Sequence, residues 1–351
     1  MTVFYLTLLL VYIFSLMARI IRVNHKKIAW IFVIIVILIL TLVSGLRSGI
    51  GDTYMYKHLY TLIGPEFNSD GYEPGFIYFL QMLKSISDDP QFMIMIISII
   101  INVLNVISMY IFTKDGYFEI ATFLYIASGY YTVTMNGIRQ SLAASILFIV
   151  TICIIKKKFI QYLIICLLMM SVHNSAFVMI PMYFIVKERA WSKRTNILYG
   201  LMLIGLFFYD PLMNMLQGSK YGAYSDFNEG GANPIRIAVF LMPIILSYMK
   251  KNIIRERWKE GDIFVNMNTI CGIIMLFSAL NWIFARFTIY FQLYSFIVFA
   301  FLLKNCFKGK EKRLIYFGVI VCYFLFFYYE QVISLGMIYK TDFKLMNFLY
   351  Y

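Results

Sequence analysis

Long apolar runs separated by short polar connections set the layout of this chain. A helix needs about 20 predominantly apolar residues to cross the hydrocarbon of a bilayer, and about eleven or twelve runs reach or approach that length. They fall at about 3–21, 28–46, 91–113, 118–135, 138–155, 159–171, 174–186, 196–210, 235–249, 263–281, 286–303 and 314–329. Several are too short for a full crossing, which predicts tilted, bent or partly inserted helices. The pattern predicts an all-α, polytopic integral membrane protein of transmembrane helices and half-helices, one membrane domain over 1–351.

Two stretches resist simple counting. Residues 159–186 form an apolar stretch that as one helix would measure roughly 42 Å against a core of about 30 Å. A helical hairpin turning at His173-Asn174-Ser175 resolves the excess. Residues 76–89, FIYFLQMLKSISDD, are too short to cross and read as a surface or re-entrant helix inside a larger external segment, 47–90. A second polar segment, 211–235, is the other sizeable loop expected on that side.

Charge supplies the orientation. The connections 19–27, 114–119, 156–158, 187–194, 250–262 and 304–313 hold 22 of the 31 basic residues and 7 of the 18 acids, a net of +15 against −2 for the remainder. Lys and Arg gather on the cytoplasmic side of membrane proteins, so 47–90 and 211–235 are expected outside. The first run has no basic residue before it, and Arg19, Arg22, Lys26 and Lys27 follow it. That is the pattern of a retained span with an external N-terminus, not a cleaved leader. A chain that is 61% hydrophobic and 14% charged excludes a soluble domain. Its net charge of +13 is accounted for by topology and anionic lipid, with no nucleic-acid partner implied. The five cysteines have no metal or disulfide spacing.

Ionisable residues next to lipid are costly and commonly serve a site. With the topology above, the external helix ends carry Arg47, Asp52, Tyr54, Glu73, Arg139, Gln140, His173, Arg236, Arg286 and Tyr290. Four arginines at one depth call for anionic partners, and the planar guanidinium fork suits phosphate oxygens. Each arginine is equally readable as a helix end snorkelling to headgroups. Arg139 favours function, because it follows Asn136-Gly137 inside apolar sequence. His173 is the one histidine within apolar sequence. It suits proton transfer or a phosphate or sugar contact, with a structural histidine bonded to Ser171 or Ser175 as the alternative. Asp52 and Glu73 read as a general base and a sugar ligand, or as a helix cap and a partner of Arg47. Asp88-Asp89 before Pro90 reads as a helix N-terminus rather than a metal site. Tyr221 and Tyr224, with Gly230, Gly231 and Asn233, suit stacking on sugar faces or a flexible aromatic cover.

Four motifs in order carry a resemblance: R-x-G-x-G-D-x-x-x-Y at 47–56, Y-E-P-G-F at 72–76, N-G-x-R-Q-x-L-A at 136–143, and H-x-S-A-x-x-x-x-P at 173–181. Together they resemble the EpsG family of exopolysaccharide polymerases, Wzy-like membrane proteins of bacterial capsule, exopolysaccharide and O-antigen pathways. Beyond residue 190 the resemblance rests on N-W-I-F-A-R-F at 281–287.

The resemblance implies a GT-C-like membrane glycosyltransferase of the bacterial cytoplasmic (inner) membrane, working on its outer face. It would join undecaprenyl-pyrophosphate-linked oligosaccharide repeat units, with a chain-length regulator and a flippase as partners and no cofactor or metal. On this reading Arg139 clamps the pyrophosphate with help from Arg47 and Arg286. His173 or Asp52 takes the acceptor proton, and Glu73 orients the acceptor sugar. A glycan ligase would share the donor site and differ at the acceptor, and an acyltransferase could also use a buried histidine. A flippase or exporter requires a polar path through the membrane, whereas the ionisable residues here gather at one face. Asn102, Asn105 and Asn268 are the residues that leave room for such a path.

Overall fold

The computed structural model describes residues 1–64, 71–114, 116–208 and 230–343. It is helical, and the only β-contact among the described residues is an isolated bridge between Arg47 and Thr341. Among the described residues, five helices are long and apolar enough to cross a membrane: Thr2–Arg22 (α1), Lys26–Gly45 (α2), Pro90–Phe112, the run Ile138–Ile155 and Gly309–Ser334. The number rises to seven if two bent pairs are each one span: Pro234–Met249 with Lys251–Arg257, bent by 71°, and Ile283–Tyr290 with Gln292–Asn305, bent by 56°. Shorter apolar helices among the described residues are Phe118–Ala127, Phe159–Met170, Asn174–Ile185 and Gly261–Phe277. Helices suit this composition because the backbone satisfies its own polar groups where no water is present.

The chain divides into two compact units, Met1–Ile180 with Phe307–Tyr351, and Pro181–Cys306. In the first unit α1 and α2 pack on each other, α2 packs on α5 (Pro90–Phe112), and α1 packs on α6 (Phe118–Ala127). Two short helices, α3 (Thr53–Leu62) and α4 (Pro74–Lys84), follow α2. The segment 76–89 is thus an 11-residue helix and a turn. One face of α4 (Phe76, Ile77, Leu80, Leu83) buries in one cluster with Tyr56, Leu59 and Tyr60 of α3, Ile63 just after it, and Met93, Ile94, Ile97 and Ile101 of α5. Lys84 Nζ donates to the carbonyls of Tyr60, Thr61 and Ile63 at 2.9, 2.9 and 2.6 Å, satisfying the C-terminal carbonyls that α3 leaves open. Asp89 caps α5 by accepting from Gln91 N at 2.9 Å, with Pro90 at the first helical position.

Polar side chains knit the interior of this unit. Asn102 Nδ2 donates to Ser44 Oγ at 2.9 Å, and Tyr125 OH donates to Asn102 Oδ1 at 3.3 Å. Asn105 Nδ2 reaches the same tyrosine hydroxyl at 3.4 Å. These asparagines link α2, α5 and α6 as polar residues do in membrane bundles. Glu119, counted above with a basic connection, is fully buried and accepts from Arg19 Nε at 2.8 Å and Tyr316 OH at 3.2 Å. A buried charge is tolerable when paired in this way.

After α6 the chain breaks at Ser128-Gly129, where Gly129 takes the left-handed conformation at φ 82°, one that a residue with a Cβ rarely adopts. It resumes as α7 (Tyr130–Asn136), breaks again at Gly137, and returns as α8 (Ile138–Ile149) and α9 (Thr151–Ile155). The stretch 159–186 is not one helix: α10 (Phe159–Met170) stops at Ser171, and a 3-10 segment runs from Asn174 to Met179. Tyr162, in the first turn of α10, donates its hydroxyl to Met179 O at 2.6 Å, so the chain doubles back on itself.

The second unit contains Met182–Ile185, Lys193–Ile204 and the helices from Pro234 to Asn305. Its connection 186–195 is built rather than slack. Asp262 accepts from Ala190 N at 2.9 Å, Arg255 donates to Ala190 O at 3.0 Å, and Asn266 donates to the carbonyls of Val186 and Glu188. Of the second polar segment, 211–235, only 230–235 are described, so Tyr221 and Tyr224 lie outside the described residues. Ala232 N donates to Ser278 O at 2.7 Å and Trp282 N to Gly230 O at 3.3 Å, pinning the end of that segment to residues 278–282.

Candidate functional site

The four motifs, spread over some 130 residues, meet at one end of the first unit. Arg139 stands in the first turn of α8, just after the Gly137 break. Its Nη1 donates to Glu73 Oε2 in a short ion pair, and its Nε donates to the Tyr56 hydroxyl at 3.3 Å. The Tyr72 ring lies 5.0 Å from the guanidinium carbon and the Phe76 ring 5.8 Å, placing aromatic surface against the cation. No hydrogen bond from Nη2 is present among the described residues, and the side chain remains 19% exposed. Tyr56 is 4% exposed. Burial raises its pKa and the Arg139 charge opposes that rise, so at neutral pH it is a neutral hydroxyl accepting from the arginine.

Glu73 precedes α4 and faces two ways. Oε2 holds Arg139, and Oε1 accepts from the backbone amide of Asn174 at 2.9 Å. The same junction is stitched by Phe76 N donating to Ser171 O at 3.2 Å. Gly75 permits that approach, since a Cβ there would stand 2.7 Å from Ser171 O. His173, half-buried, pairs its Nδ1 with Ser175 Oγ at 2.7 Å, and Gln140 Nε2 donates to that hydroxyl at 3.4 Å. Gln140, Ser175 and His173 thus form a chain that starts beside Arg139 in sequence.

The first motif contributes differently. Arg47 is 2% exposed, and its fork is filled by neutral acceptors. Nε donates to Thr53 Oγ1 at 3.0 Å, Nη2 to Met135 O at 3.0 Å, and Nη1 to Ser98 Oγ at 3.2 Å and closely to Ser44 O. Burial lowers its pKa to about 10, still far above neutrality, so the buried group stays charged and depends on those acceptors. Asp52 is exposed, makes no side-chain cap, and donates its backbone amide to Asn136 Oδ1 at 2.9 Å. Tyr54 points outward at 77% exposure and stacks on His58.

Arg236, Arg286 and Tyr290 belong to the second unit. Arg236 is half-buried in the first turn of Pro234–Met249. Arg286 is exposed and lies 4.7 Å over the Trp282 ring, and Tyr290 is buried. Among the residues that complete the cluster, Tyr56, Tyr72, Phe76, Asn136, Asn174 and Ser175 had no site role from sequence. All but Asn174 stand at defined positions of the four motifs, which was the signal available.

The fold and this cluster define a polytopic membrane protein with an arginine–carboxylate site assembled from four separated segments. Those segments lie within a single family match. The chain belongs to the EpsG family, which it matches over residues 30–343, a Wzy-like family of polysaccharide polymerases. No curated protein and no solved structure matches the chain.

Proposed function

We propose that this polymerase joins polyprenyl-pyrophosphate-linked oligosaccharide repeat units, with the donor's pyrophosphate bound at Arg139 on the outer face of the cytoplasmic membrane. The observation that carries the reading is the Arg139 guanidinium itself: it already holds a carboxylate on Nη1 and keeps Nη2 unbonded among the described residues. An edge of that kind suits phosphate oxygens, and aromatic cover shields it from water. In the transfer, the bond between the donor's anomeric carbon and its pyrophosphate oxygen breaks. A bond to an acceptor hydroxyl oxygen forms, and the hydroxyl proton passes to a base. His173, Asp52 and Glu73 are the groups able to take it, and Gln140 supports His173 through Ser175. Arg47 ties α2, α3, α5 and α7 together, while Arg236, Arg286 and Tyr290 are candidates for further substrate contacts. The segregated basic connections support an outward-facing site and an external N-terminus.

The test uses the full chain in nanodiscs with a lipid-linked repeat unit. Wild type should lengthen the glycan, and Arg139→Ala should bind undecaprenyl pyrophosphate weakly and make no polymer. Normal chain length in Arg139→Ala would sink the reading, and transfer of finished glycan without lengthening would favour a ligase. A cysteine at Ser85, in a background without native cysteines, should label in intact cells, whereas one at Lys193 should label only after permeabilisation. The reverse pattern would turn the site to the cytoplasm.

A further inference from the structure

We infer that Glu73 is a resident counter-ion that an incoming phosphate must displace from Arg139, and that its displacement loosens the turn carrying His173. The inference rests on the reading of Arg139 as a phosphate site. It adds a role for Glu73 that is distinct from holding a sugar or taking a proton.

The geometry gives Glu73 two bonds on two different elements. One oxygen sits on Arg139 Nη1 at the start of α8, and the other on the amide of Asn174, next to His173. A phosphate on the edge formed by the two terminal nitrogens takes two parallel bonds, and Glu73 occupies one of those nitrogens. The guanidinium has little freedom to offer another edge, because Nε is engaged by Tyr56 and the rings of Tyr72 and Phe76 lie against it. Two anions at one cationic edge repel each other, so phosphate and Glu73 exclude one another there. The pair is also accessible to a competitor, with the two side chains 19% and 15% exposed.

Displacement has a consequence at the turn. Residues 171–175 are held to the start of α4 by the Glu73–Asn174 bond and by Phe76 N on Ser171 O. When Glu73 leaves Arg139 it loses the cation that fixes its carboxylate, and its hold on the Asn174 amide weakens with it. Donor binding at Arg139 is thereby coupled to the freedom of His173, with Ser175 and Gln140 remaining as its local support.

The experiment measures binding of undecaprenyl pyrophosphate to the full chain in nanodiscs alongside turnover. If Glu73 competes with phosphate, Glu73→Gln binds the lipid more tightly than wild type, by about threefold to fivefold for a partly exposed ion pair, while polymerising more slowly. A carboxylate that merely props Arg139 gives the opposite sign, and unchanged or weaker binding in Glu73→Gln overturns the inference. A second measurement needs no variant: hydrogen exchange of the 171–176 amides in wild type should quicken on adding the lipid, and slowed or unchanged exchange overturns the coupling. Arg139→Ala separates the two ideas. Lost binding there with weakened binding in Glu73→Gln leaves the phosphate site standing and removes the counter-ion role, whereas retained binding in Arg139→Ala removes both.

Discussion

Arg47 and Arg139 lie in neighbouring regions of one unit and enter the sequence in the same way, as arginines inside glycine-containing motifs at helix ends. Their surroundings differ. Around Arg47 every bond goes to a carbonyl or hydroxyl of α2, α3, α5 or α7, and the side chain is sealed. Around Arg139 the partners are a carboxylate and a tyrosine, and the group remains reachable. A cation spent on neutral backbone acceptors holds helices together, and a cation paired with an exchangeable anion is equipped for a ligand. The charge is the same in both cases, so the kind of acceptor and the exposure make the distinction.

The largest effect expected is on folding at the first region. Arg47→Met should strand buried acceptors at Ser44, Ser98 and Met135, costing about 3 kcal/mol, and folded protein recovered in detergent should fall sharply. Well-folded Arg47→Met with impaired lipid binding would erase the contrast with Arg139. Arg139→Lys should do the converse: normal yield and melting, with polymer synthesis down on the order of a hundredfold because the planar fork is lost. Chain-length profiles from cells read this directly.

A glycine joins the two regions. Gly51 has φ of +49°, and a Cβ there would stand 2.1 Å from Asn136 Oδ1, which accepts from Asp52 N. Gly51→Ala should destabilise by about 2 kcal/mol, while Gly49→Ala, with open space around it, should leave the melting temperature unchanged. Equal behaviour of the two would mean the first and third motifs are not packed as described. The smallest effect is expected for Tyr56→Phe, which removes one hydroxyl from Arg139 Nε. About 1 kcal/mol should appear as weaker donor binding with unchanged yield.

Much of the fold was legible because lipid allows few options. Apolar runs gave the helical membrane architecture and the excess length of 159–186. Asp89 read correctly as a cap, since Pro90 leaves the first turn of α5 little else. The family was legible from motif order. Composition is silent on how a run is cut, so the break at Ser128-Gly129 was not foreseen within 118–135, whereas the one at Gly137 falls between the runs 118–135 and 138–155. Glu119 looked like a loop acid because its partners, Arg19 and Tyr316, lie about 100 and 200 residues away. The Arg139–Glu73 pairing was similarly hidden by 66 residues of separation. Sequence could propose both residues, but only proximity relates them to each other and to Asn174.

One contact bears on how the protein is made. Tyr339 donates its hydroxyl to Val43 O at 2.9 Å, Thr341 donates to Leu46 O at 2.6 Å, and Ser48 N donates to Lys340 O at 2.9 Å. These bonds close over the end of α2 and the beginning of the first motif, across nearly 300 residues of chain. During synthesis the ribosome must therefore deliver residues 339–341 before the end of α2 and the start of the first motif acquire these partners. Until then the backbone groups at Val43, Leu46 and Ser48 wait without these partners. Closure of this strap is thus a late event, and a stalled or shortened nascent chain would carry four intact motifs without the strap that closes over the first of them.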